Sequence, residues 1–138
     1  MPAIVAQPDV AAPRARWVLW AGYVLTALPT LMLLFSASMK FSRPPQVVDI
    51  FVGKLGYPLE TLTVIAVLEI LCAVLYAIPQ TAVLGAVLMT GYLGGAIATH
   101  VRVGDPWVSP LVVALVAWAG LYLREQRLRA LLPLRRAR

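Results

Sequence analysis

One carboxylate near the middle of an apolar run is the first residue whose type suggests chemistry. Glu69 lies within TVIAVLEILCAVLYAIP, residues 63–79, and is the only charged residue in that run. If the run sits in lipid, a charge at its centre costs roughly 2.5–3.5 kcal/mol on insertion scales. Such a group faces protein, pairs with a cation or carries a proton. Glu69 is therefore the first candidate for an intramembrane polar cluster that holds a ligand or a proton.

The candidate partners of Glu69 are Lys40 and His100. His100 stands about 10 Å farther along the helical rise than Glu69, so a direct contact needs a register offset or a bridging water. Lys40 has a long stem that can reach toward the carboxylate. Arg102 lies about 200° around its helix from His100, and we expect it to anchor at the membrane–water interface on the outer side. The alternative is a protonated Glu69 that serves packing alone.

These groups are too few for a metal site, because such sites normally need three or four ligands. The single cysteine, Cys72, can form neither an intrachain disulfide nor a C-x-x-C redox pair, and we expect it to act as a small buried hydrophobe. The sequence therefore predicts no metal and no intrinsic cofactor.

The composition indicates the surroundings of these residues. Apolar residues make up 61% of the 138 residues and charged residues 13%, against roughly 45–50% and 25% in soluble domains. So short a soluble domain could not bury that much apolar surface. The net charge of +6 comes from basic residues that flank apolar runs, which is typical of membrane proteins and argues against nucleic acid as a partner.

Four apolar runs predict helices over about residues 17–37, 59–78, 81–103 and 106–123. Their lengths suit membrane-spanning helices, and none alternates as the strands of a membrane barrel do. The sequence thus predicts an all-α integral membrane four-helix bundle in one domain, residues 14–132. A disordered tail over 1–13 and a basic tail over 133–138 flank it.

A fifth, short element is predicted between the first two runs. Val47, Val48, Phe51 and Leu55 form an apolar face at helical spacing. This pattern predicts an amphipathic helix over about 45–55, which lies either at the outer surface or over the mouth of the bundle.

Glycine and proline predict where the helices end. Gly56 and Gly104 suit positions just after a helix, and Pro58 and Pro106 suit the first turn of the helix that follows. Asp105 is a candidate N-cap for the fourth helix.

Three residues inside the helices also have predicted roles. Pro29 should kink the first helix, because proline lacks an N–H and crowds the preceding turn. Gly91 and Gly95 form G-x-x-x-G, which permits close helix approach, either within the chain or in a homodimer.

The basic residues predict the orientation. Eight of the twelve Lys and Arg residues lie before the first run or after the last one. With four spans both termini share a side, and the richer side is expected to be cytoplasmic. The eight are Arg14, Arg16, Arg124, Arg127, Arg129, Arg135, Arg136 and Arg138.

Five blocks of the chain resemble the DoxX-like family of small four-helix bacterial membrane proteins. They are FSASMKF (35–41), LGYP (55–58), VLEIL (67–71), GYLGGAIATHVRVGDP (91–106) and LYLREQRLRALLP (121–133). The resemblance implies the bacterial cytoplasmic membrane, and it links the wider group to quinone-coupled thiosulfate oxidation and membrane oxidoreductase assemblies. It implies no established catalytic set.

Three functions stay open at this point. The first is a non-catalytic membrane subunit or scaffold that supports a quinone-linked oxidoreductase partner, with Glu69 and His100 binding a quinone-like head group or relaying protons. The second is a small-solute or proton transporter in which Glu69 titrates. The third is a structural bundle whose polar pair fixes packing. Because the chain has no redox motif of its own, we expect that it is not an enzyme by itself.

Overall fold

The computed structural model describes residues 15–131, with side chains described as far as Leu128, and this part of the chain is helical without strands. The helices are α1 (Arg16–Ser42), α2 (Pro45–Val48), α3 (Thr61–Ala77), α4 (Ala82–Arg102), α5 (Val108–Arg124) and α6 (Gln126–Leu131), and a π-helical turn, Asp49–Lys54, continues α2. The all-α prediction is confirmed. The predicted tails, residues 1–13 and 133–138, lie outside the described residues.

The helix boundaries agree with the predicted ones to within two residues, except at the end of α1. That helix continues to Ser42 through the polar stretch SASMK. Lys40 is drawn inward there by a buried partner and not out toward water. Pro29 lies buried inside α1, which stays helical on both sides of it.

Within the described part of the chain, two helices are long and apolar enough to cross a membrane by length and composition, α1 with 27 residues and α4 with 21. Helices α3 and α5 are apolar but shorter, with 17 residues each. Among these four helices, α1 and α4 both pack against α3 and α5, and α5 also contacts α6.

Close packing is concentrated at the end where α1 begins and α5 ends. Gly22 and Gly120 let α1 and α5 approach, and a Cβ at Gly120 would lie 2.9 Å from the backbone of Thr26. Gly85 brings α4 against α3, where a Cβ would lie 2.5 Å from the Cα atom of Tyr76. Small side chains at such positions allow helix backbones to approach closely.

Gly56 and Gly104 follow helices as predicted, whereas Asp105, Pro58 and Pro106 do not take their predicted positions. Gly56 and Gly104 have φ angles of 74° and 70°, the left-handed conformation that glycine adopts easily. However, α5 begins after Trp107 without a side-chain cap among the described residues, so the predicted N-cap role of Asp105 is wrong. Pro58 and Pro106 precede the first turns of α3 and α5 and do not lie within them.

Candidate functional site

The structure places Glu69 of α3 against Lys40 of α1. The Lys40 Nζ atom lies 3.0 Å from Glu69 Oε1 and 3.0 Å from Glu69 Oε2, so the ammonium spans the whole carboxylate. The two side chains are only 5% and 3% exposed. Of the two partners expected for Glu69, the structure brings Lys40 to it.

Two hydroxyl groups complete this contact. Ser36 Oγ donates to Glu69 Oε1 at 2.9 Å and accepts from Lys40 Nζ at 2.6 Å. Tyr92 Oη of α4 donates to the same Oε1 atom at 2.5 Å. We call Ser36, Lys40, Glu69 and Tyr92 the polar cluster. It joins three helices through one carboxylate.

Sequence reasoning missed both hydroxyl residues. Ser36 stands one helical turn before Lys40, and this i, i+4 spacing was a readable signal that the two side chains share a face. Tyr92 lies within residues 91–106, one of the five blocks that carry the family resemblance, but it has no spacing relation to Glu69 in the sequence. Its position depends on how α4 packs beside α3.

The polar cluster lines a cavity of about 510 Å³. Most of the wall is apolar and comes from α1, α3, α4 and α5, with Leu33, Ile65, Leu93 and Val113 among the lining residues. Val64 also lines the cavity and is 58% exposed, so the space is open to the surroundings. A mainly apolar cavity with a few convergent polar groups is the usual form of a small-molecule site.

Residues 45–57, here called the cover segment, lie over this cavity. Phe51, Leu55 and Tyr57 line it from that side. The Phe51 ring centroid is 4.9 Å from Lys40 Nζ, which puts an aromatic face on the ammonium. Of the two placements expected for this segment, the structure shows it over the cavity.

A second set of polar contacts fastens the cover segment to residues at the end of α4 and just after it. Lys54 Nζ donates to Asp105 Oδ1 at 2.5 Å, and Arg102 donates to the backbone carbonyl of Leu55 at 2.5 Å. The hydrogen bond from Lys54 lowers the pKa of Asp105, and His100 adds to this effect while burial opposes it. Asp105 therefore fastens the segment and does not cap α5. Arg102, predicted as an interface anchor, also reaches this segment.

His100 is the residue that the structure separates from its predicted partner. Its Nδ1 atom lies 3.4 Å from Asp105 Oδ2, whereas the described hydrogen bonds to Glu69 come from Ser36, Lys40 and Tyr92. The offset along the helices is the physical reason, because α3 and α4 are antiparallel neighbours joined by a tight turn. His100 and Glu69 nevertheless line the same cavity.

Gly91 and Gly95 also line this cavity, and in the described chain a Cβ at either position would meet no atom within 4 Å. Their predicted role in helix packing within the chain is therefore wrong. The close approaches use Gly22, Gly85 and Gly120 instead. The missing side chains at Gly91 and Gly95 leave cavity space.

The arrangement suits binding more directly than it suits bond chemistry. Within residues 15–131, no group of three or more His, Cys, Asp or Glu side chains is placed to hold a metal ion. Cys72 is buried and has no disulfide partner in this part of the chain. What the cavity offers is a long apolar wall, a buried ion pair and several hydroxyl groups.

Comparison with known proteins identifies the family. A model of the DoxX-like family matches residues 24–120, well over half of the chain. No curated protein and no solved structure matched the chain. The family match and the two helices of spanning length together support a membrane protein. The predicted family is confirmed, and the chain belongs to the DoxX-like family.

Proposed function

We propose that this protein is a four-helix membrane bundle that binds a lipophilic small molecule in the cavity beside the polar cluster. In this role it acts as a non-catalytic membrane subunit, with quinone-type molecules as the first candidate ligands and a membrane oxidoreductase as the candidate partner. The bacterial cytoplasmic membrane is the proposed location, with both termini on the cytoplasmic side.

The outer surface supports the membrane part of the proposal. Large apolar side chains on all four long helices point away from the core, including Phe35 at 68%, Val64 at 58%, Leu84 at 54% and Leu115 at 61% exposure. Soluble monomers rarely carry contiguous apolar surface of this extent. Helices α3 and α5, with 17 residues each, reach the lower end of the range that spans a bilayer.

The observation that carries the binding proposal is the position of the buried ion pair. Burying two charges requires good geometry and further hydrogen bonds to offset desolvation. Lys40 and Glu69 have both, and they lie where an apolar cavity ends on polar atoms. A lipophilic molecule can place its tail along the apolar wall and its polar head against this cluster.

The ion pair also favours binding over transport. A transport cycle through Glu69 would have to release Lys40 from both carboxylate oxygens while Lys40 remains 5% exposed. Leaving one member of a buried pair alone costs several kcal/mol. Binding needs no such step.

Two adjacent glycines provide a matched test. Gly95 lines the cavity, while Gly94 does not, and a Cβ at either position meets no described atom within 4 Å. Gly95→Phe should therefore fill the cavity, and Gly94→Phe should place the same ring outside it. Both variants should fold.

The assay is equilibrium binding of a radiolabelled decyl-benzoquinone and its reduced form to the protein in nanodiscs, with empty nanodiscs correcting for partition. We expect saturable binding to the wild type and to Gly94→Phe, weakened about tenfold or more in Gly95→Phe because a filled site must lose contacts worth at least 1.4 kcal/mol. Equal binding by both variants, or no saturable binding above empty nanodiscs, would refute the proposal.

A further inference from the structure

The polar cluster presents hydrogen-bond acceptors to the cavity, because its own protons are already committed. The ammonium of Lys40 has three N–H groups. They face three acceptors, Ser36 Oγ, Glu69 Oε1 and Glu69 Oε2, at 2.6, 3.0 and 3.0 Å. The Phe51 ring covers the ammonium as well. Lys40 therefore has no proton left for a ligand.

The two hydroxyl groups of the polar cluster also have no proton left for a ligand. A hydroxyl has a single proton. Ser36 and Tyr92 both give theirs to Glu69 Oε1, at 2.9 and 2.5 Å. Neither group can donate to a ligand without first breaking a bond to the carboxylate.

Acceptor capacity, in contrast, remains. Each oxygen of an ionised carboxylate has about two acceptor positions, so an oxygen that accepts a single hydrogen bond keeps one position open. Glu69 Oε1 accepts from three groups, while Oε2 accepts from Lys40 alone. The Tyr92 oxygen donates and accepts nothing in the described contacts, so its lone pairs are also free. All of these residues line the cavity.

The hydroxyl groups of Tyr57 and Thr99, which contact each other, also have their protons committed. Thr99 Oγ1 donates to the carbonyl of Gly95 at 2.9 Å, so the 2.7 Å contact between Tyr57 Oη and Thr99 Oγ1 must use the proton of Tyr57. Both residues line the cavity. A ligand that offers only acceptors thus meets oxygen lone pairs at this pair too.

From this count we propose that the polar cluster selects a lipophilic ligand whose polar end donates a hydrogen bond, namely a phenol or hydroquinone hydroxyl, over the matching ether or quinone carbonyl. The ligand hydroxyl is accepted by Glu69 Oε2, which accepts from Lys40 alone in the described contacts. This inference rests on the proposed function, since it names the chemical class of ligand for the same cavity.

The expected size of the preference follows from the charge on the acceptor. Hydrogen bonds to charged groups contribute more than neutral ones. The acceptor-only ligand also leaves its own oxygen desolvated and unpaired. We expect the hydroxyl form to bind about tenfold or more tightly than the ether of the same shape.

The test compares para-decylphenol with its methyl ether, in nanodiscs that carry the wild type, with decyl-hydroquinone and decyl-benzoquinone compared under anaerobic conditions. Tighter saturable binding of the hydroxyl member of each pair supports the inference. Equal or tighter binding of the ether and the quinone overturns it while leaving the proposed function intact. If no probe binds saturably, the proposed function fails and the inference fails with it.

Two variants ask whether the carboxylate causes the preference. Glu69→Gln supplies an amide N–H₂ group with two donors, so the preference should disappear or reverse. Tyr92→Phe removes one donor from Glu69 and frees a further acceptor position, so the preference should persist. Lys40→Met combined with Glu69→Gln gives a neutral version in case Glu69→Gln alone folds poorly. Unchanged selectivity in the Gln variants would overturn the inference.

Discussion

Replacing Lys40 by methionine should destabilise the fold far more than the same replacement at another paired lysine. Methionine keeps an unbranched side chain but removes the ammonium, which makes three hydrogen bonds of 2.6–3.0 Å. Glu69, with 3% exposure, would stay behind as a buried charge held by Ser36 and Tyr92 alone. Removing one partner of a buried ion pair typically costs about 3–5 kcal/mol of unfolding free energy.

Lys54→Met is the matched control. Lys54 also forms an ion pair, with Asp105, but its side chain is 53% exposed. Exposed pairs contribute little, because water and salt screen them. The control variant should therefore stay close to the wild type.

The double variant Lys40→Met, Glu69→Gln separates the charge from the packing. The glutamine carbonyl oxygen can still accept from Ser36 and Tyr92, and no buried charge remains. The double variant should lose less stability than Lys40→Met alone, because the effects of substitutions on the unfolding free energy do not add when the residues share one hydrogen-bonded network.

Reversible unfolding in detergent micelles, followed by far-ultraviolet circular dichroism, measures these differences. The reasoning is refuted if Lys40→Met lies within about 1 kcal/mol of the wild type, the range of an exposed pair. It is also refuted if the costs of the two single substitutions simply add in the double variant.

Three further predictions concern helix packing, a buried hydrogen bond and the Asp105 carboxylate. Gly85→Ala should lower the unfolding free energy by about 3 kcal/mol or more, because the new Cβ would lie 2.5 Å from the Cα atom of Tyr76. Gly94→Ala should leave it unchanged or raise it by up to about 1 kcal/mol. Thermal unfolding of both variants in micelles checks this. Tyr76→Phe removes a buried hydrogen bond of 2.6 Å to a backbone carbonyl and should lower the unfolding free energy by about 1 kcal/mol, and equal stability would contradict it. Lys54 lowers the pKa of Asp105 below 3.8. The ionised carboxylate therefore stabilises the fold above that pH, and this contribution is lost as the pH falls through the lowered pKa. Between pH 6 and 3, the unfolding midpoint should fall more steeply for the wild type than for Asp105→Asn.

The apolar runs made the helices readable, since each run is long enough to need a helix and is bounded by turn residues. Lys40 could be named as a partner of Glu69 because its stem is long. The end of α1 was harder to predict, because a polar stretch normally ends an apolar helix. Here the stretch carries Ser36 and Lys40 into a buried contact with α3, which a local pattern cannot reveal.

The glycines show why spacing alone is insufficient. The G-x-x-x-G of Gly91 and Gly95 marks one face of α4, but not which neighbour, if any, meets that face. The close contacts belong to isolated glycines such as Gly85 and Gly120, whose partners lie on other helices. A sequence shows where a glycine would allow two helices to approach closely. Whether a second helix meets that glycine depends on the register between the helices.

Asp105 illustrates the same limit for a polar residue. Its place before Pro106 indicates a cap, because the local backbone offers free N–H groups at a helix start. Lys54, a residue of the cover segment, competes successfully for the carboxylate. A charged partner brought in by tertiary structure outweighs a local cap in this case.

The central claim is that the cavity beside Lys40 and Glu69 holds a lipophilic, hydroxyl-bearing ligand, and native mass spectrometry tests it most directly. The wild type, Gly94→Phe and Gly95→Phe would be purified from membranes under mild conditions, and their bound small molecules identified. We predict one such molecule per chain in the wild type and Gly94→Phe, and its loss from Gly95→Phe. Identical small-molecule content in all three proteins, or none in the wild type, would contradict the account.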